Sequence, residues 1–134
     1  MNFDFNVFME NYAEQIGGQF SEYDSSKSVI IVPLDDNRFQ AVLGVMKHND
    51  KFNKMGVEFS SKVCPDAEDI DYKRLIMENA KTCYAKFVTV DDFIKVEGST
   101  FMETTTEEGL KEIIQEVAQL ADEWEYKLTG LDVN

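Results

Sequence analysis

Apolar residues recur at three- and four-residue spacing in some stretches of this chain and at two-residue spacing in others, and this change of period predicts most of its elements. Between Thr104 and Leu128, the residues Leu110, Ile113, Ile114, Val117, Leu120, Ala121, Trp124 and Leu128 fall on one side of a helix. Thr104 with Glu107, and Thr105 with Glu108, offer two overlapping capping boxes at its start. Gly130 stands where a left-handed residue closes a last turn. Phe5, Phe8, Met9, Tyr12, Ala13 and Ile16 make a second stripe, ended by Gly17-Gly18. A shorter middle helix is predicted from about Ile70 to Lys81, behind the carboxylates Asp66, Glu68 and Asp69 that suit a helix start.

The strands read by alternation. Ser28 to Leu34 is dense in β-branched residues and apolar on both faces, and Pro33 marks its end or an edge. Asp35-Asp36-Asn37 supplies a turn. From Arg38 to Lys47, Phe39, Ala41, Leu43 and Val45 form one face, expected to lie toward the helices, and Val42 and Met46 fall on the other. A polar loop at His48-Asn49-Asp50-Lys51 leads to the cleanest strand, with Met55, Val57, Phe59, Ser61 and Val63 on one face. These two strands are expected to form an antiparallel hairpin. Tyr84–Val90 and Phe93–Phe101 flank a tight turn at Asp91-Asp92.

The resulting order, α-β-β-β-α-β-β-α, implies an α+β two-layer sandwich in which an antiparallel five-stranded sheet carries its helices on one face. Residues 1–134 fit one domain, with 129–134 as a flexible tail. Phe39–Val45 and Met55–Val63 are expected to cover the terminal helix, so a polar substitution at Ile114 or Val117 should unfold the domain.

Charge narrows the partners. Twenty-six acidic against 13 basic residues give a formal net charge of −13, a field that repels phosphate backbones and anionic lipid. Nucleic acid and membrane are therefore not expected as partners. The beginning of the chain lacks the pattern of a secretory signal and no segment has transmembrane length, which makes the cytoplasm the expected compartment. Cys64 and Cys83 are expected there as reduced thiols used for packing.

The chemical inventory is thin. His48 is the single histidine, in a loop beside Asn49 and Asp50, with no positioned partner for base catalysis. The segment Asp66-Ala67-Glu68-Asp69-Ile70-Asp71 fails as a calcium loop, because Ile70 stands where an oxygen ligand belongs and Asp71 where the glycine belongs. Gly17-Gly18 has no following lysine and follows a helix, so it is no phosphate loop. No catalytic residue, metal site or cofactor is expected.

The element order, small size, acidity and terminal amphipathic helix together resemble the class I type III secretion chaperones and the related YbjN-like proteins. The resemblance spans Phe5 to Leu128 and carries no diagnostic motif. It implies a homodimer paired largely through the middle helix and its adjacent strand, placing Tyr72, Leu75 and Ile76 near the dimer contact. It also implies an extended polypeptide partner held around the surface. The residues suit such a role through Val42 and Met46, with Val29 or Ile31, as an apolar groove on the outer sheet face, unless loops or a second subunit cover them. The expected function is a non-enzymatic protein-binding module. The alternatives are an acidic inhibitor or immunity-type protein for a basic partner, and a small enzyme using carboxylates with a tyrosine or cysteine.

Overall fold

A computed structural model describes residues 3–129. Helix α1 (Phe5–Gln15) is followed by β1 (Gln19–Asp24), β2 (Lys27–Pro33), β3 (Phe39–Asn49) and β4 (Lys54–Pro65). Helix α2 (Tyr72–Glu78), the hairpin β5 (Lys86–Val90) and β6 (Phe93–Phe101), and helix α3 (Glu107–Thr129) complete the order. The strands form one open antiparallel sheet in the order β1-β2-β3-β4-β6-β5.

The sheet thus has six strands where five were expected. The additional one is β1, whose sequence QFSEYD is mostly polar and exposed, with only Phe20 turned partly toward the core, so it carries no run of alternating apolar residues to betray it. It is held as an edge by main-chain pairing with β2 across a tight turn, where Asp24 Oδ1 accepts from the backbone N–H of Ser26 at 2.8 Å.

Helices α1 and α3 pack on one side of the sheet, and a single cross-strand row explains how. Ser28, Gly44, Phe59 and Gly98 are register partners on β2, β3, β4 and β6. A Cβ on Gly44 would lie 2.7 Å from Met9 Cε and 2.8 Å from Phe5 Cζ, both from α1. A Cβ on Gly98 would lie 2.8 Å from Ile113 Cγ2 of α3. The two glycines therefore let two helices sink onto the sheet on either side of Phe59, which is fully buried.

This row also fixes the faces of β3, and they are opposite to expectation. Gln40, Val42 and Gly44 face the helices and are buried, while Phe39, Ala41, Leu43 and Val45 face outward. On β4 the expected face holds for Val57, Phe59, Ser61 and Val63, whereas Met55 at its start is exposed. Paired register between β3 and β4 runs from Asn49–Lys54 to Leu43–Ser60. Beyond it, Gln40 Nε2 donates to Ser61 Oγ and to the Lys62 carbonyl, both at 3.0 Å, and Ser61 Oγ donates to the Ala41 carbonyl at 2.7 Å. Two buried polar side chains thus bridge the strands where the main-chain ladder stops.

Helix α3 buries Leu110, Ile113, Ile114, Val117, Ala118, Ala121 and Trp124 against β3, β4 and β6. Burial of each large side chain contributes roughly 1.5–3 kcal/mol before ordering entropy. Leu120 and Leu128 of the expected stripe are only partly buried. The helix starts later than the capping boxes imply: Thr106 is its cap, with Oγ1 accepting from Gly109 N–H at 3.0 Å, and a short 3-10 turn occupies Met102–Thr104. Glu116 points from α3 into the chain before β5, where its carboxylate accepts from the backbone N–H groups of Cys83, Tyr84 and Ala85 at 3.0, 2.6 and 2.7 Å. Asp71 caps α2 through Arg74 N–H at 3.1 Å, so that helix starts at Tyr72 and not near Ile70. Thr129 belongs to α3; the expected cap at Gly130 and the remaining tail positions lie outside the described residues.

Candidate functional site

The outer sheet face is the side without helices, and its strands divide it in two. On β2 and β3, the register partners Ile31 with Ala41 and Val29 with Leu43 place aliphatic side chains next to one another, continued by Val45 and by Phe39 near the β2–β3 connection. Val29, Ile31, Leu43 and Val45 are half-buried by their neighbours in the sheet, and Phe39 is 49% exposed. On β4 and β6 the same face turns charged, whereas the outward positions of β5 are Lys86, Val88 and Val90, register partners of Glu97, Lys95 and Phe93. Glu58 holds Lys47 in an ion pair at 3.0 Å, and Lys62 lies over the Phe93 ring with Nζ 4.4 Å from its centroid. Burial, and then the nearby Glu58, push the Glu97 carboxyl above the usual carboxylate range.

The four residues expected to line one groove do not share a surface. Val42 is fully buried beneath the helices, and Met46 lies partly buried against the core on the same inner side, paired with Val57. Val29 and Ile31 do face outward. The cause is the seating of Phe5 and Met9 on Gly44, which commits the even-numbered positions of β3 to the helices. Leu43, Val45 and Phe39, expected to face inward, instead make up most of the outer apolar half. Gly44 was the available signal, since an isolated glycine in a strand marks the close approach of another element.

At the middle helix the expected contact residues also separate. Leu75, expected near a dimer contact, is instead buried in the chain's own core and out of a partner's reach. Tyr72 is partly buried, its hydroxyl donating to the Ala67 carbonyl at 3.4 Å. Ile76 and its neighbour Met77 project outward, 69% and 62% exposed.

Titratable side chains meet only in small, separate groups; in one of them the Tyr84 hydroxyl donates to Glu112 Oε1 at 3.2 Å, which raises the tyrosine above its ordinary pKa. His48 sits at the end of β3 with Nδ1 2.9 Å from Asp50 Oδ1 and Nε2 2.9 Å from Asn53 Oδ1, contacts that raise its pKa above the ordinary value. It pairs across to Met55, and Cys64 lies nine residues further along β4, roughly 30 Å away at strand spacing. A Cys–His pair with Cys64 is therefore ruled out by distance. A cleft of about 750 Å³ lies between the β2–β3 connection and α3, lined by Leu34, Arg38, Gln115, Asp122 and Tyr126 among others. Its charged centre is committed to structure: Arg38 Nε donates to both carboxylate oxygens of buried Asp122 at 3.2 and 3.0 Å.

Among the described residues, no group of three or more His, Cys, Asp or Glu side chains is placed to hold a metal ion, and no helix is long and apolar enough to cross a membrane. The chain matches no family model and no curated protein.

Proposed function

We propose that this protein is a non-enzymatic polypeptide-binding module, of the kind the type III secretion chaperones represent, which holds a partner segment against its outer sheet face. The observation that carries the reading is the helix-free apolar half formed by Val29, Ile31, Phe39, Leu43 and Val45. An aliphatic surface of this kind on a chain of net charge −13 combines a sticky face with a soluble body. The element order departs from the chaperone pattern by strand β1, so the reading rests on this face more than on the likeness. In the same reading two copies associate through α2, with Ile76 and Met77 supplying the apolar contact that Leu75 cannot. The cytoplasm is the compartment that suits its two free thiols.

The test is a fluorescence-anisotropy titration with a labelled, permanently unfolded polypeptide, comparing the parent protein with Leu43→Lys and Ile31→Lys. Saturable binding that weakens at least about tenfold in both variants, with thermal stability retained, supports the reading. Absence of binding, or binding indifferent to both lysines, sinks it.

A further inference from the structure

The β3–β4 hairpin tip carries a second surface of different chemistry, at the far end of the sheet beyond Lys47. Phe52 is 57% exposed, and its ring meets Phe101 edge-on with centroids 5.8 Å apart. Lysines frame the aromatic pair: Lys51 Nζ lies 5.6 Å from the Phe52 centroid and Lys54 Nζ 5.5 Å from that of Phe101. In a chain with twice as many acidic as basic residues, the segment Lys47–Lys54 holds three lysines and the histidine against one acid, Asp50.

The tip is also built to hold its shape. The Phe52 backbone N–H donates to Asn49 Oδ1 at 3.0 Å, and His48 bridges Asp50 and Asn53. Asn53 adopts φ +52°, a left-handed conformation suited to asparagine. An exposed aromatic on a pre-formed turn loses little conformational entropy when it is covered, and aromatic side chains flanked by cations are the residue types that dominate binding energy at interfaces.

We propose that this tip binds a short acidic peptide segment of another protein, one that places an apolar side chain on Phe52 and Phe101 and its carboxylates on Lys51 and Lys54. Range of charge decides between this occupant and larger polyanions. At physiological ionic strength, interactions fade over about 8 Å, so a short segment meets only the local cationic surface. A bilayer or nucleic-acid duplex extends past the tip and meets the field of the whole acidic molecule.

The experiment selects short random peptides, displayed on phage, against the full chain, and repeats the selection on Phe52→Ala, on the Lys51→Glu/Lys54→Glu double variant and on Leu43→Lys. The expected result is enrichment of sequences pairing Asp or Glu with aromatic or aliphatic residues. Affinity of the selected peptides should fall at least about tenfold in the Phe52 and lysine variants and hold in Leu43→Lys. Because Phe52, Lys51 and Leu43 are on the surface, thermal melts and circular dichroism establish that each variant is folded. The proposal is overturned if no acidic sequence is enriched, or if the tip variants select the same peptides. It is equally overturned if phosphatidylserine vesicles or duplex DNA bind the tip more tightly than the peptides do, or if Phe52→Ala acts only by abolishing self-association.

Discussion

Asn79 grips the backbone of Phe87 at the free edge of β5: the Phe87 N–H donates to Asn79 Oδ1 at 2.7 Å and Asn79 Nδ2 donates to the Phe87 carbonyl at 3.4 Å. One side-chain amide takes the place that a residue of a seventh strand would occupy, and so guards an edge on which another chain could pair. Asn79→Ala should cost about 1–2 kcal/mol in urea denaturation and increase concentration-dependent light scattering. Unchanged stability together with unchanged scattering would show that this edge needs no guard.

Glu116 links stability to pH. Burial opposes its ionisation, but the N–H groups of Ala85, Cys83 and Tyr84 outweigh that effect and hold its pKa below the ordinary 4.5. A carboxyl lowered on folding adds stability that is complete above its unfolded pKa and is lost as pH falls through the folded value. Glu116→Gln should therefore be less stable than the parent by about 1–3 kcal/mol at neutral pH, and the two should converge below pH 4.5 as the parent loses its charge. A difference that stays constant across a denaturation series from neutral to acid pH would contradict the assignment.

Adjacent positions on β3 should behave in opposite ways. Val42→Lys forces an ammonium beneath α1 and α3, where nothing solvates it, and should abolish the cooperative thermal transition. Leu43→Lys meets solvent and should leave the melting temperature nearly unchanged. Equal damage at both sites would mean that the outer face is not open.

The two thiols should differ in reactivity. Cys83 is exposed, while Cys64 is buried and its thiol is pushed up by burial and then by Glu125. Iodoacetamide is expected to label Cys83 in the native protein and Cys64 only after denaturation, as read by peptide mass mapping. Early labelling of Cys64 would place the β4 end in solvent.

The fold was legible wherever one face of an element is apolar and the other polar. The stripe of α3, the alternation of Val57 to Val63 and the Asp91-Asp92 turn, with both residues at positive φ, appear as the sequence implies. β1 was illegible because an edge strand held by its main chain needs no apolar face. The facing of β3 was illegible because both its faces are apolar: the outer one carries Leu43 and Val45, while the inner one includes Gln40 and Gly44, and counting hydrophobicity picks the wrong side. Gln40 is tolerated inside only through its bonds to Ser61 and Lys62, which no local pattern announces. The candidate surface followed that inversion, so Val42 and Met46 gave way to Leu43, Val45 and Phe39. The hairpin-tip surface depends on Phe52 meeting Phe101, residues far apart in sequence that only the β4–β6 register brings together.

Methyl-resolved NMR during titration with the unfolded polypeptide tests the central claim most directly. Progressive shifts of the Val29, Ile31, Leu43 and Val45 methyl groups are expected, with Ile30 and Val42 of the inner face largely unmoved. Shifts confined to the cleft between the β2–β3 connection and α3, or no shifts at saturating polypeptide, would contradict it.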